Sequence, residues 1–385
     1  MRSILNPFTP AFGGKPQHFF GRTEELALIE NAFENEFSPY RALFITGNRG
    51  CGKTSILEQV SEKACAHGWL AVDVHAEEAL MSAVKKLTGG TDRTISKNLQ
   101  PQFAGLSVGS AATVTSKHYT GMDLADVMIE KLKGVNACQG IFVSVDEVQK
   151  ISEPDAEGLC AALQMAMRKG YPVMLVMAGL PGSKEKIGSY AGCTFMQRTF
   201  EIKLSSLLIP ETYEAFERLL ATMPTVAVGE GAVDRLARFS LGYPYLMQLI
   251  GYYAVEQMCQ SGFVGAFCLN EGDVAAAESE AYTAYRNNVL KAVTEPLRNG
   301  ARAYLTSVAK VLDNTGRART EKVAAALNKE LSQCSTDRQR LIDRRLLVPD
   351  GWGYVRFNLP YLSRYLLEEA LENGTAPANP DAWLF

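Results

Sequence analysis

A glycine-rich motif of eight residues dominates the interpretation of this sequence: Gly47-Asn48-Arg49-Gly50-Cys51-Gly52-Lys53-Thr54. It fits the pattern G-x-x-x-x-G-K-[ST], in which backbone N–H groups curl around phosphate oxygens. The apolar run 42–46 precedes the motif and a helical pattern, 53–67, follows it, as a phosphate-binding loop requires. We expect Lys53 to reach the β- and γ-phosphates of a nucleotide and the Thr54 hydroxyl to coordinate Mg²⁺. The whole motif and Ser55 are the predicted nucleotide contacts.

A second motif follows in the same pattern of strands and helices, where the apolar run 141–145 ends in Asp146 and Glu147. A carboxylate at the end of a buried strand suits a metal ligand, and this assigns Asp146 to Mg²⁺. Glu147 is then placed to act as general base on an attacking water. An apolar run that ends in two acids is a weak signal alone. After a phosphate-binding loop it becomes a strong one.

Strands and helices alternate through the first half of the chain. This order predicts a parallel sheet with helices on both faces. The predicted strands are 42–46, 69–75, 141–145, 173–178 and 200–204, and the predicted helices between them are 53–67, 79–87, 122–132 and 156–167.

One segment, 89–121, interrupts that rhythm with many Gly, Ser and Thr residues. Its alternating pattern fits an inserted β-hairpin, and its composition equally fits a mobile, solvated loop. Its cationic side chains, Arg93, Lys97 and Lys117, are candidates for contact with a partner.

The second half of the chain is predicted to be helical. Helices are expected over 212–222, 232–239, 245–258 and 274–290, which indicates an all-α subdomain. Three helices at 301–312, 321–327 and 335–345 then precede two short β runs around Asp350-Gly351-Trp352-Gly353, which is the order of a winged helix. The domain boundaries follow as 1–205, 206–292 and 293–372, with a tail at 373–385.

Charge is unevenly distributed along the chain. The net charge is −3, but segment 296–350 has 11 positive and 6 negative residues, a local charge of +5, so the remainder is about −8. The predicted recognition helix supplies the candidate contacts to duplex DNA: Arg338, Arg340, Arg344 and Arg345. Asp337 and Asp343 weaken this interpretation, and a winged helix that only packs or contacts protein remains an alternative.

With both motifs in place, the sequence resembles the AAA+/STAND-type P-loop ATPases, in particular those related to origin-recognition and initiator proteins. The resemblance also covers shorter segments: 6–22, 123–126, 178–181, 197–198 and 242–244. It implies an α/β fold with a P-loop NTPase sheet, a helical lid and a C-terminal winged helix, and it implies ATP and Mg²⁺ as cofactors. By the same resemblance, Arg22 ends a segment near the adenine, and Tyr243 and Pro244 belong to a lid that closes on the nucleotide.

The sequence departs from that family at its sensor positions. The strand end at 178–181 lacks the usual Asn or Thr, and Ser183 is a poor substitute by position. No arginine follows Tyr243-Pro244 in the lid helix, although Arg235 and Arg238 just before it are candidates to compensate. Arg198 falls where relatives carry an arginine finger that acts on a neighbouring subunit. The alternative for Arg198 is a salt-bridged surface residue.

These departures predict slow hydrolysis and the behaviour of a switch. The leading function is an ATPase that couples its nucleotide state to oligomerisation and to DNA or protein binding. One alternative is a DNA-associated module in which ATP only sets the assembly state. Another is a protein-interaction scaffold with no DNA role. Scattered cysteines without Cys-x-x-Cys, and the lack of a signal peptide or spanning segment in this sequence, predict a cytoplasmic location.

Overall fold

A computed structural model gives the architecture of residues 5–11, 19–89, 119–134, 138–260 and 267–374. Most of the segment predicted as a hairpin or loop, including Arg93, Lys97 and Lys117, lies outside these ranges, and so does nearly all of the predicted tail. Within them, no helix is both long enough and apolar enough to cross a membrane.

Five parallel strands form the central sheet, as the sequence predicts. They are β1 (Ala42–Thr46), β2 (Trp69–His75), β3 (Gly140–Asp146), β4 (Val173–Gly179) and β5 (Phe200–Lys203). Their spatial order is β2-β3-β4-β1-β5. All five are parallel, so the carboxyl ends of β1, β3 and β4 meet at one edge of the sheet.

Helices cover both faces of this sheet. They are α1 (Thr23–Glu34), α2 (Lys53–Ala66), α3 (Ala79–Thr88), α4 (Gly121–Lys133), α5 (Glu153–Arg168) and α6 (Ser183–Gly188). Successive side chains of β1 enter opposite cores, because a strand alternates its side chains between faces. Leu43 and Ile45 pack with α1 and α2, whereas Phe44 packs with α3, α4 and α5. Together, the described residues between 23 and 203 make up the sheet region.

The described residues between 209 and 294 form the middle region, which is mostly helical. Its helices are α7 (Ile209–Ala221), α8 (Ala232–Ser240), α9 (Pro244–Gln260), α10 (Glu271–Tyr285) and α11 (Lys291–Thr294), with a π-helical turn at Arg286–Leu290. The expectation of an all-α subdomain is wrong in one respect. Two strands, β6 (Val226–Val228) and β7 (Phe267–Leu269), pair in parallel beside the helices. Runs of three residues are too short to show a strand period.

The C-terminal region, 299–374, follows the order helix, strand, helix, helix, strand, strand, helix. Its elements are α12 (Asn299–Lys310), β8 (Arg317–Arg319), α13 (Thr320–Ala326), α14 (Ser335–Asp343), β9 (Leu347–Pro349), β10 (Tyr354–Phe357) and α15 (Leu362–Glu372). The strands form an antiparallel sheet in the order β8-β10-β9. The sequence predicts α12, α13, α14 and the last two strands, but neither β8 nor α15.

One hydrophobic core is continuous through all three regions. It runs from Leu43 and Ile56 in the sheet region, through Phe216 and Tyr285, to Leu366 in the C-terminal region. The three regions therefore pack against one another without an intervening layer of solvent.

Candidate functional site

The glycine-rich loop curves between β1 and α2 at the carboxyl edge of the sheet. Gly50 and Gly52 have φ angles of +80° and +91°, in the left-handed region where glycine carries no steric penalty. A Cβ at Gly50 would also come within 2.8 Å of the Tyr245 Cβ. Gly52 then caps the N-terminus of α2, whose first-turn N–H groups and dipole favour an anion. The loop thus has the backbone shape that a phosphate group requires.

Lys53 brings a positive charge into the centre of this loop. Its Nζ donates to the carbonyl oxygens of Gly47 at 3.1 Å and Asn48 at 3.0 Å, and the residue is only 6% exposed. Among the described residues this buried ammonium bonds to neutral carbonyls and has no acidic partner, so it strongly favours an incoming anion. The loop and its lysine therefore fit a polyphosphate.

Thr54 and Asp146 meet beside the loop, as the two motifs predict. The Thr54 hydroxyl donates to Asp146 Oδ2 at 2.6 Å, although the two residues are 92 positions apart in the chain. These are hard oxygen ligands of the kind Mg²⁺ prefers. In the described ranges no three His, Cys, Asp or Glu side chains gather into a metal site. The pair therefore fits a cation that also uses phosphate oxygens.

Glu147 directly follows Asp146 in an unusual backbone conformation. Its φ is 54°, in the left-handed region, which costs a non-glycine residue about 1–2 kcal/mol. Its backbone N–H donates to Asp146 Oδ1 at 2.7 Å, and this holds the two acids in a fixed relation. The structure thus places the predicted base at the same strand end as the predicted metal ligand.

A further residue, Gln149, connects Glu147 with the end of β4. Its Nε2 donates to Glu147 Oε2 at 2.7 Å, and its Oε1 accepts from the Leu180 N–H at 3.1 Å. The Ser183 hydroxyl does not reach this network, because it is buried and donates to the Leu180 carbonyl at 2.6 Å. Sequence reasoning overlooked Gln149, whose only signal is its position two residues after Glu147.

The middle region closes directly on the loop. The Tyr243 hydroxyl donates to the Arg49 carbonyl, and the Tyr245 N–H donates to the Gly50 carbonyl at 3.1 Å. Burial raises the pKa of Tyr243 well above its ordinary value, so the phenol remains a neutral donor. Tyr243, predicted to contact nucleotide, contacts the backbone of the loop itself, and Pro244 begins α9 behind it.

Burial also decides the role of Cys51 in the loop. Its side chain is 2% exposed and packs so closely that a Cβ at Gly47 would clash with the sulfur. Burial raises the pKa of the thiol, which therefore stays protonated. Cys51 can offer a ligand only its backbone N–H. The predicted contact at Ser55 lies half-buried in the first turn of α2.

The N-terminal segment anchors to the middle region. Asn6 Nδ2 donates to the Tyr252 carbonyl at 3.1 Å, and the Thr9 N–H donates to Gln248 Oε1 at 2.8 Å. The buried Phe8 ring packs where a Cβ on Gly251 would stand. The segment therefore lies along α9.

Arg22, predicted near the nucleotide, is 9% exposed and ties the start of α1 to the chain beyond β5. Its guanidinium donates to the Ser205 carbonyl and lies 3.5 Å from Glu25 Oε1. These contacts give Arg22 a structural role at the edge of the site.

Arg235 and Arg238, which the sequence suggests as substitutes for the missing lid arginine, form ion pairs with acids of the middle region. Arg235 Nη1 lies 3.1 Å from Glu271 Oε1 and its Nε 2.7 Å from Glu278 Oε1, while Arg238 Nε lies 2.6 Å from Asp234. These ion pairs count against a compensating role for Arg235 and Arg238, which stays a prediction.

Arg198 differs, because it is exposed and forms no ion pair with any residue in the described part of the chain. The described residues therefore give no support to the interpretation of Arg198 as a salt-bridged surface residue.

The C-terminal region reaches the loop through Arg345. Its Nη1 donates to the Thr46 carbonyl at 3.1 Å, and its Nη2 donates to Thr46 Oγ1 at 2.9 Å and Glu201 Oε1 at 2.7 Å. In return, Asn48 Nδ2 donates to the Arg345 carbonyl at 2.9 Å, and Asn358 Nδ2 donates to it at 3.0 Å. We call this set of bonds the Arg345 clasp.

The clasp corrects one sequence prediction. Arg345 is not available to duplex DNA, because its side chain is 16% exposed and faces the sheet region. Arg344, by contrast, is exposed and lines a cavity beside the loop together with Asn48 and Arg49. Arg338, Arg340 and the exposed Arg344 remain candidate DNA contacts.

Replacing Arg345 by alanine is expected to lower the free energy of unfolding by about 3 kcal/mol, because Glu201 would keep a largely buried charge without its partner. The variant should also increase hydrogen exchange at the contact between Asn48 and the C-terminal region. Arg356→Ala is the matched control, since Arg356 forms only an exposed ion pair, 3.8 Å from Asp350. Equal stability of the two variants would contradict the importance of the clasp.

Comparisons with known proteins agree with this geometry. Residues 18–176 match the family described as AAA ATPase domain, and residues 287–366 match a domain of unknown function (DUF8462). No curated protein matches the sequence.

Among solved structures, the ORC2 protein of Aeropyrum pernix is similar in two forms. Its ADPNP-ADP complexes give a TM-score of 0.62 at 16% identity, covering 95% of this chain and 98% of that one. Its ADP form gives 0.55 at 17% identity, covering 96% and 98%. Cdc6p of Pyrobaculum aerophilum gives 0.49 at 12% identity, covering 94% and 97%.

The family match spans the glycine-rich loop, β3 and most of β4, which carry the residues of the candidate site. The similarity to ORC2 extends the same fold over nearly the whole chain. The resemblance to AAA+ ATPases and the predicted P-loop sheet are thereby confirmed. Residues 18–176 therefore match an AAA ATPase domain, and the described residues have the fold seen in the ORC2 structures.

Proposed function

We propose that this chain binds ATP with Mg²⁺ and hydrolyses it slowly, as a switch between two conformations. One observation carries the proposal: a buried Lys53 ammonium, a Thr54–Asp146 pair and Glu147 converge on one glycine-rich loop. Lys53 and the loop N–H groups would bind the phosphates, and Thr54 and Asp146 would hold Mg²⁺. The Mg²⁺ ion would neutralise charge on the phosphates.

Glu147 would take the proton of the attacking water in this proposal. Gln149 would orient the Glu147 carboxylate, because the Gln149 amide oxygen is itself held by the Leu180 N–H. Slow turnover is expected because the lid helix that follows Tyr243 has no arginine directed at the nucleotide. Arg235 and Arg238 pair with acids of the middle region, so Lys53 and Mg²⁺ would stabilise the charge that develops during the reaction without help from a lid arginine.

The switch part of the proposal rests on the contacts around the loop. The middle region, as a lid, binds the loop through Tyr243, and the C-terminal region binds it through Asn48. A ligand shifts a conformational equilibrium only by binding one state better than the other. Because both regions contact the loop, a nucleotide bound there would shift the conformational equilibrium of both regions together.

Oligomerisation is the proposed output of the switch, with the exposed Arg198 acting on the nucleotide of a neighbouring copy. The experiment measures binding of ATP and ADP, phosphate release and molecular size for the full chain, with and without Mg²⁺. Mg²⁺-dependent ATP binding with slow phosphate release, and a size that changes with ATP, supports the proposal. Absence of nucleotide binding at millimolar ATP overturns it.

Binding of duplex DNA by the C-terminal region is a second candidate. Its order of helices and strands is that of a winged helix, and Trp352 at the turn between β9 and β10 is 94% exposed. Arg338 and Arg340 on α14 would contact phosphates, although Arg340 also lies 3.5 Å from Asp337. The alternative is a protein partner at the same surface.

Replacing both Arg338 and Arg340 by alanine is expected to weaken DNA binding and to lower its salt dependence by about one unit per lost phosphate contact. Fluorescence anisotropy with a labelled duplex at several salt concentrations measures this. Arg218→Ala on α7 is the control, since Arg218 pairs only with Glu214 at the surface. Affinity and salt dependence that stay unchanged in the double variant would favour a protein partner.

A further inference from the structure

Two buried cysteines contact each other in the core of the sheet region. Cys160 lies in α5, and Cys193 lies in a 3₁₀-helical segment, Ala191–Arg198, that packs against this helix. Both side chains are 0% exposed, and a side-chain hydrogen bond joins the two thiols. All eight cysteines of the chain are free thiols. The pair is therefore a reduced dithiol that the proposed ATPase reaction does not use.

The backbone around the pair holds the two sulfur atoms together. The Gly192 N–H donates to Glu157 Oε1 at 2.7 Å. Glu157 and Cys160 are three residues apart in α5, so they lie on the same face of the helix. Cys193 follows Gly192 directly and is thus presented to Cys160. This proximity matters because sulfur atoms that start far apart cannot form a disulfide without movement of the backbone.

The dithiol lies directly beneath the protein surface. Ala191, Gly192 and Thr194, which surround Cys193 in the chain, are exposed, so one short segment separates the pair from solvent. A 3₁₀ helix has poorer hydrogen-bond geometry than an α-helix, and short surface segments open locally far more often than a whole chain unfolds. Such an opening would carry Cys193 into solvent while Cys160 stays in α5. A small oxidant can therefore reach Cys193 first.

The two thiols also differ in acidity. The hydrogen bond from Cys160 stabilises a thiolate on Cys193 and lowers the pKa of Cys193, against the weaker opposing effects of burial and of Glu157. The same bond, together with burial, raises the pKa of Cys160 above its ordinary value. Because the thiolate is the nucleophile in thiol–disulfide exchange, Cys193 is the attacking group and Cys160 the resolving one.

We propose that Cys160 and Cys193 form a reversible disulfide when the chain meets a small-molecule disulfide such as oxidised glutathione, and that this bond fixes the segment Ala191–Arg198 to α5. The Cys193 thiolate attacks one sulfur of the oxidant, releases one small thiolate and forms a mixed disulfide. Cys160 then loses its proton to water and attacks the Cys193 sulfur, which releases the second small thiolate. The two protein thiols lose two electrons, the oxidant gains them, and both protons end on the released thiols.

The disulfide would act on a segment that is held only by noncovalent contacts. Besides the bond to Glu157, Gln197 Nε2 donates to the Gly188 carbonyl at 2.8 Å, and the Lys184 ammonium donates to the Thr199 carbonyl just beyond the segment. The segment ends in the exposed Arg198 and leads into β5. A covalent link to α5 would restrict its local opening. The proposal is independent of nucleotide binding, because its chemistry involves neither the glycine-rich loop nor a nucleotide.

The test incubates the folded full chain with oxidised glutathione, blocks the remaining thiols and identifies linked peptides by mass spectrometry. We expect a linkage between Cys160 and Cys193 in most molecules, and its loss on reduction with dithiothreitol. Hydrogen exchange in residues 191–198 should be slower in the oxidised chain by about tenfold or more. Cys160→Ser should leave Cys193 in a mixed disulfide with glutathione, whereas Cys193→Ser should leave Cys160 unmodified.

Cys334→Ser is the matched control, since Cys334 is also buried, and it should form the linkage like the unaltered chain. Free thiols at both Cys160 and Cys193, under conditions that attach glutathione to the exposed Cys65 and Cys259, would overturn the proposal. A disulfide from either residue to another cysteine would do the same. A linkage that leaves hydrogen exchange unchanged would overturn the effect on the segment. The experiment on the unaltered chain decides these outcomes even if a serine variant fails to fold.

Discussion

Replacing Lys53 by alanine is expected to raise the Kd for both ATP and ADP by at least about 100-fold, because the loop loses its only buried charge. The ammonium now bonds to the Gly47 and Asn48 carbonyls, and phosphate oxygens would replace these weak partners with charged ones. Without it, the loop N–H groups and Mg²⁺ must balance the charge of the phosphates. Isothermal titration calorimetry with each nucleotide measures the change.

The control for this prediction lies on the same helix. Lys63→Ala also removes a lysine of α2, but Lys63 pairs with Glu30 away from the loop, at 2.6 Å. It should therefore bind both nucleotides like the unaltered chain. A melting curve for each variant separates loss of binding from loss of the fold. Retention of micromolar ATP affinity by Lys53→Ala would reject the loop as the nucleotide site.

Replacing Glu147 by glutamine is expected to slow phosphate release by about 10²–10⁴-fold while ATP affinity stays within about threefold. The amide has the same shape as the carboxylate and can still bond to Gln149, but it cannot accept a proton from water. Single-turnover measurements with radiolabelled ATP detect even slow hydrolysis. The ratio of the hydrolysis rates of the unaltered chain and of Glu147→Gln then measures the contribution of the carboxylate.

Glu78→Gln provides a closely matched comparison. Glu78 is also a glutamate with a left-handed backbone, φ 57°, at the N-terminus of a helix, but it lies at the start of α3 and is exposed. Its variant should hydrolyse ATP at the unaltered rate. Full hydrolysis by Glu147→Gln would mean that another group, or no protein group, takes the proton.

The sheet and the centre of the site were predictable because their signals are local. Strand β1 is an apolar run followed at once by glycines, so its ends are marked within a few residues. The same holds for β3, which ends in Asp146 and Glu147. The alternation of strands and helices already implies a parallel sheet. In such a sheet the carboxyl ends of the strands lie at one edge, which brings together residues that act on one ligand.

Other parts of the structure had no local signal. Arg345 bonds to Thr46 across 299 positions, and no spacing in the sequence connects them. Its position among other arginines suggested a nucleic-acid contact, whereas packing against Glu201 determined where its side chain lies. Strands β6 and β7 were overlooked for a related reason, since each has three residues and is held by its partner in space.

Two hydrogen bonds hold the glycine-rich loop, one from the Tyr243 hydroxyl and one to the Arg345 carbonyl. Such a loop has already lost much of the freedom that a ligand would otherwise have to restrict. If the chain binds a nucleotide as proposed, motion of the loop during release would require that one of these contacts breaks. We therefore expect the lifetime of the complex, more than the speed of its formation, to set how long each state of the chain persists.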